Sequence, residues 1–419
     1  MERNTQAAPK PLFDAARMRH YPIIILALVA MGIVGLIATS RDMVDFRGKP
    51  LGYDFITFWG ASSLTLEGRP EAAFDPVETV AAQAKAVGGS EVEFFWHYPP
   101  PYQLVTAPLA LMPYPLAFIV FAMAGSAAYL FALRPLLNQP HPGLLLAAFP
   151  ATIICLYHGQ NSMFSVALLA GAIILGSRGP RDQLLAGVCI GLLAYKPQLG
   201  ILIPFALAIA GQWRMFAAAA VTALCFMGVS TLAFGPGLWS TFFGNLHFVN
   251  ELVESGSLPW AKMPSVWVTL RTFGVPETAA YAVHGAVALA SAGLAMWIWR
   301  RCGMTRLSWS VLIVATLTIS HYLFDYELTL LAAPVAILMS DMAERGATRT
   351  EKLILLASIV LSGVTGPLGE AGIPTGTPLI LAMLWLTTSR ALTEAKPSEV
   401  RRRFPWKQRR LSDQTGRLS

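Results

Sequence analysis

Apolar runs of helical length recur along this chain, separated by short polar breaks. The first, YPIIILALVAMGIVGLIATS from Tyr21 to Ser40, is twenty residues without a charge. A helix of about that length crosses the hydrocarbon core of a bilayer. The same reading places apolar segments at 21–39, 114–134, 143–157, 161–177, 182–195, 198–212, 214–234, 278–299, 307–321, 326–341, 352–366 and 374–389. Several fall short of about 20 residues, so one or two are expected to be half-helices enclosed by protein. The pattern predicts an all-α polytopic membrane protein with about 12 transmembrane helices, in a range of about 10–13. Two intervals are long, 40–113 and 235–277; the other breaks are short. No internal repeat and no low-complexity segment stands out.

Composition turns this pattern into a class. Of 419 residues, 55% are hydrophobic and 13% charged, against roughly 25% charged in soluble domains. A water-soluble fold of this size could not hide so much apolar surface, whereas lipid can replace water as the solvent. The basic start (Arg3, Lys10, Arg17, Arg19) resembles a signal peptide, but the apolar run is longer than the usual h-region of about 7–15 residues, which predicts an uncleaved anchor.

Charge then sets orientation. With the N-terminus inside, 23 of the 31 Lys and Arg residues fall in cytoplasmic segments, as the bias of cytoplasmic loops requires. The expected organisation is a cytoplasmic basic N-terminus (1–20), a membrane domain (21–390) with outer loops 40–113 and 235–277, and a cytoplasmic basic tail (391–419). The tail run RRRFPWKQRR and the formal net charge of +7 point to orientation and contact with anionic lipid, not to nucleic acid. Cys155, Cys189, Cys225 and Cys302 are scattered singly, without a CxxC pair, and read as small apolar fillers.

Under this topology the unusual polar residues gather at the outer mouths of the spans. They are Asp54 in GYDFITFW; Glu91, Glu93 and His97 in EVEFFWHYPPP; HGQN at 158–161; Lys196; His247; Lys262; Arg271; and HYLFDYE at 321–327. Ionisable groups at membrane depth are functional candidates by default. Singly, each has a plainer reading. Asp54 could cap the stretch FITFWGASSLTLEG, HGQN could be a polar hairpin turn, and YPPP could only keep a helix from starting before Tyr102. Lys196 could snorkel, His321 could be a satisfied interfacial histidine, and Asp325 or Glu327 could cap the next span.

Their order is more specific than any one of them. A basic start and one span precede an outer D-F-x-x-F/Y-x motif; F-x-Y-P-P and APLALMP (107–113) follow; then come G-Q-N, AGVCIGLLAYKP (186–197) and a late H-Y. From about residue 20 to about 390 the chain resembles glycosyltransferase family 87, polytopic enzymes of the GT-C superfamily. The late segment ISHYLFDYELTLLAAP carries a single His where related members look closer to a paired His-His, which bears on substrate identity more than on chemistry.

The resemblance implies transfer of a hexose, mannose by analogy, from a polyprenyl-phosphate sugar to an extracytoplasmic glycolipid or glycan acceptor at a bacterial inner membrane. Asp54 matches the position of the GT-C general base, and an aspartate is ionised at neutral pH and can accept the acceptor's proton. The donor phosphate needs positive charge; Lys196, then His321, then Arg271 are the expected ligands. Tyr98, His158, Gln160, Asn161 and Tyr322 are expected around sugar and acceptor, with Trp59 or Trp96 stacking on a sugar face. No metal and no cofactor beyond the lipid-linked donor is expected. A secondary transporter would show repeats and midplane ionisable groups; a lipid-linked oligosaccharide polymerase or ligase would carry several outer arginines; an inert scaffold would leave the one-sided polar set unexplained.

Overall fold

The computed structural model describes residues 14–90 and 92–394. Most of the basic head, Glu91 and nearly all of the tail, including RRRFPWKQRR, lie outside the described residues. Within them the chain is helical and contains no strand, only isolated bridges at Arg41–Val44 and Val44–Pro50. The helices are α1 (Ala15–Thr39), α2 (Phe55–Leu66), α3 (Pro76–Ala86), α4 (Pro100–Thr106), α5 (Tyr114–Leu133), α6 (Pro142–Ala147) and α7 (Pro150–Tyr157). There follow α8 (Ser162–Gly176), α9 (Pro180–Leu192), α10 (Pro197–Gly200), α11 (Ile203–Ile209), α12 (Trp213–Phe234) and α13 (Gly237–Glu254). The last group is α14 (Val266–Thr272), α15 (Glu277–Cys302), α16 (Arg306–Thr316), α17 (Ala332–Arg345), α18 (Arg349–Leu361), α19 (Thr365–Glu370) and α20 (Gly376–Glu394).

All twelve apolar segments are helical. Five stretches are long and apolar enough to cross a membrane: Ala15–Thr39, Tyr114–Leu136, Trp213–Phe234, Glu277–Cys302 and Asp325–Arg345. The other segments are shorter or broken, for example at Pro150 between α6 and α7 and at the turn between α10 and α11. Proline explains the first break, since it removes a helix donor and clashes with the preceding turn.

The distribution of burial identifies the solvent. Along α1, Leu28, Met31, Val34 and Ile37 are exposed, as are Phe131, Leu232 and Leu289 on other long helices. A water-soluble monomer rarely exposes so large an apolar surface, so these faces fit lipid. Asp325–Arg345 is the reverse, enclosed by its neighbours over nearly its whole length. It shares the core with α8, α15 and α16, where Trp299 of α15 and Trp309 of α16 meet edge to face at 5.0 Å.

Close helix contacts use small residues, as expected where both lipid and side chains are apolar. Gly187 and Gly191 form a G-x-x-x-G stripe on α9, and α12 lies directly against it. A Cβ at Gly187 would be 2.5 Å from Ala218 Cβ, and one at Gly191 would be 2.5 Å from the Ala219 carbonyl oxygen.

The interval 40–113 is a folded helical unit. Phe55, Phe58, Trp96, Tyr102 and Tyr114 form its aromatic core. Trp96 is fully buried and stacks on Tyr102 at 5.7 Å, so it cannot also stack on a sugar. At the far end of Asp325–Arg345, Arg390 is buried and its Nε donates to Asp341 Oδ2 at 2.6 Å. Its Nη1 donates to the Gly346 carbonyl at 3.0 Å and to Glu351 at 3.4 Å. Arg345 also pairs with Asp341, so α17, α18 and α20 are tied by one ionic cluster.

Candidate active site

Two tight turns build the site. Gly52 and Tyr53 both have positive φ, +89° and +44°, and they reverse the chain so that Asp54 begins α2. Asp54 occupies the N-cap position but has helical angles and makes no side-chain cap hydrogen bond. The capping reading of this residue is therefore wrong: a capping aspartate takes extended backbone angles and accepts from the second or third helical N–H.

The second turn is His158–Gly159–Gln160, between α7 and α8. Gly159 has φ +59°, and a Cβ there would be 2.5 Å from Phe55 Cβ and 2.6 Å from the Gly52 carbonyl oxygen. The glycine is needed twice, for its backbone angle and for the close approach. Backbone thus meets backbone, and the flanking side chains are set against Asp54.

Gln160 Nε2 donates to Asp54 Oδ2 at 2.8 Å, and Tyr98 Oη donates to Gln160 Oε1 at 3.0 Å. A carboxylate can only accept, which fixes the amide orientation. His158 Nδ1 lies 3.7 Å from the same Asp54 oxygen. Tyr157 donates to the Tyr53 hydroxyl at 2.8 Å. Asp54 Oδ1 receives no hydrogen bond from the described residues, and the side chain keeps 22% of its exposure.

Lys196 lies in the same cluster, between α9 and α10. Its ammonium is 2.8 Å from Glu327 Oε1, and both side chains are buried. It also stands over the rings of Tyr98 and Tyr326, at 6.0 and 5.7 Å. This cation is already neutralised, and removing either partner of such a pair would cost about 3–5 kcal/mol. Tyr322 faces His97 edge-on at 6.2 Å. Burial pushes the His97 imidazole down to about 4, so it is neutral at neutral pH.

The remaining expected residues lie elsewhere or are engaged. Trp59 donates its indole N–H to the Met112 carbonyl at 3.0 Å and packs on Tyr114, so it is held in the 40–113 unit. Asn161 is completely buried; its backbone carbonyl accepts from Tyr195, and its side-chain amide meets no hydrogen-bond partner among the described residues. His321 sits in a second aromatic cluster with Trp267, Tyr281 and His284. Arg271 belongs beside that cluster, its guanidinium 5.9 Å from the Trp260 ring and 5.8 Å from the Trp267 ring.

Several site members had no assigned part in the transfer. Asp325 and Glu327 stood among the candidates in HYLFDYE with capping as their plainer reading, and the structure has Glu327 holding Lys196. Asp325 lies near Lys262, the two side chains flanking the space over Gly366. Tyr53 and Tyr157 immediately precede Asp54 and His158, and Lys262 stands over the Tyr53 ring at 5.7 Å. Their common signal is adjacency to a singled-out residue, not a spacing of their own. Among the described residues no three His, Cys, Asp or Glu side chains converge to hold a metal ion.

The arrangement is a fixed carboxylate with one oxygen held and one open, in a cluster of tyrosines with three acids and two lysines. No curated protein and no solved structure matches the chain. The model of glycosyltransferase family 87 matches residues 96–324. That range includes Tyr98, His158, Gln160, Lys196 and Lys262 but neither Asp54 nor Asp325–Glu327, which reach these residues only through the fold. The apolar helices and the family match together make this a membrane glycosyltransferase, and the chain belongs to glycosyltransferase family 87.

Proposed function

We propose that the protein transfers a hexose, mannose by family analogy, from a polyprenyl-phosphate sugar to a glycolipid or glycan hydroxyl. The reaction runs on the extracytoplasmic face of a bacterial inner membrane, within a GT-C-type bundle of about 12 membrane helices. The reading rests chiefly on Asp54: Oδ2 is held by Gln160 at 2.8 Å while Oδ1 is open. A carboxylate that caps nothing and meets no lysine or arginine within ion-pair distance among the described residues is poorly explained by folding.

In the transfer, the acceptor hydroxyl gives its proton to Asp54 Oδ1 as its oxygen bonds to the anomeric carbon. The bond from that carbon to the phosphate oxygen breaks on the opposite side, the lipid phosphate leaves with the electron pair, and configuration inverts. Base catalysis of this kind contributes roughly 100- to 10,000-fold. Gln160 orients the base, Tyr98 orients Gln160, and His158 and Tyr322 are free to meet sugar hydroxyls. No step requires a metal ion.

Asp54→Asn keeps the shape and the Gln160 contact but cannot take a proton. Purified into proteoliposomes with a polyprenyl-phosphate-mannose donor and envelope glycolipid, this variant should express normally and lose transfer by at least about 100-fold. Turnover at the wild-type rate would dismiss Asp54 as the base.

A further inference from the structure

We propose that the phosphate of the lipid donor is held by Lys262, with Arg271 behind it, and not by Lys196; this rests on the lipid-phosphate reading above. The leaving phosphate gains negative charge beside Asp54, Asp325 and Glu327, so it needs a cation that is not already paired. Lys196 is buried against Glu327 at 2.8 Å. His97 is uncharged. Lys262 differs from both: among the described residues no carboxylate lies within ion-pair distance of it, and its ammonium stands over the ring of Tyr53, next to Asp54.

The turn that carries it is closely packed. A Cβ at Gly369 would collide with the Ala261 carbonyl, and one at Gly376 with the Pro264 ring, so the backbone around Lys262 is pressed onto α19 and α20. Gly366 leaves the space into which the stem of Lys262 and the carboxylate of Asp325 both reach; a Cβ there would lie 3.4 Å from Lys262 Cγ.

Behind the turn is a cavity of about 330 Å³, bordered by Trp260, Thr269, Arg271 and Thr365. Arg271 gives Nη1 to the Val275 carbonyl at 2.9 Å, and its Nε–H has no partner. The bordering hydroxyls are engaged, Thr365 donating to the Leu361 carbonyl and Thr269 paired with Thr377, both at 2.8 Å, so the guanidinium edge and the unpaired lysine beside it are the groups that suit an oxyanion carried on a lipid. Charge-assisted bonds to phosphate are about twice as strong as neutral ones, which gives this wall its preference.

The test uses full-length protein in nanodiscs and radiolabelled polyprenyl phosphate, with unphosphorylated polyprenol as the neutral comparison. Wild type and Asp54→Asn should bind the phosphate form alike. Lys262→Met should weaken it by about tenfold or more while leaving polyprenol retention and the melting temperature unchanged; Lys262→Arg should restore it, and Arg271→Gln should weaken it less. Undiminished binding by a folded Lys262→Met protein, with wild type preferring the phosphate form, would overturn the assignment while sparing the donor reading. No preference for phosphate in wild type would overturn the donor reading and this assignment with it.

Discussion

At the scale of single residues, the site separates groups that act from groups that hold. Gln160 was expected to bind sugar hydroxyls, but its amide is committed at both ends, to Asp54 and to Tyr98. In the proposed transfer that makes it a positioning residue, and a charge change there has a distinctive consequence. Gln160→Glu would set a second carboxylate against Asp54, and two such groups resist ionising together. The acid limb of the pH–rate profile should therefore move to higher pH, and further than in Gln160→Ala, which only removes a donor to the carboxylate. An unchanged acid limb in the Glu variant would remove Gln160 from contact with the working carboxylate. Asp54 and Gln160 were both visible in the sequence, as a lone acid among aromatics and as the polar break in an apolar run. Their relation was not, because 106 residues separate them and nothing in the local pattern reports a backbone contact. Lys196 was visible in the same way and its pairing was hidden for the same reason: its partner Glu327 is 131 positions away.

Among elements, the turn at 158–161 does the most for its length. Helical periodicity found α7 and α8 as two apolar arms, and the turn between them was legible as polar residues around a glycine. What it touches was not legible. A Cβ at Gly159 would overlap Phe55 and the Gly52 carbonyl, and φ there is +59°, so Gly159→Ala faces both strain and collision. We expect it to lower the melting temperature and to reduce kcat more than a comparable change in the exposed turn at Gly211, where a Cβ would meet nothing. Equal effects at both glycines would mean that the contact does not position the base. The G-x-x-x-G stripe of α9 was quoted in the sequence as part of a family motif; only the facing backbone of α12 explains its spacing.

Over the whole molecule, charge is divided along the buried stretch Asp325–Arg345. Asp325 and Glu327 lie at the site end, and Asp341 and Arg345 join Arg390 and Glu351 at the other. The same division was read from the sequence as an outer and an inner side, and hydrophobic patterning was sufficient for the helical class. Patterning could not count crossings, because helices broken at Pro150 or at the α10–α11 turn have the composition of a span without its length. Sidedness is open to labelling. In a cysteine-free background, Ser90→Cys should react with an impermeant maleimide in intact spheroplasts, and Ser412→Cys only after permeabilisation. The opposite result would put the Asp54 site in the cytoplasm and rule out the proposed donor chemistry there.

The contact between Gly52 and Gly159 leaves no side chain between the turns that carry Asp54 and Gln160. Such a joint has no adjustable part: substitution can break it but cannot tune it. If the proposed transfer holds, the place left for diversification toward new sugars or acceptors is the segment around Trp260 to Arg271, where replaceable side chains border open space.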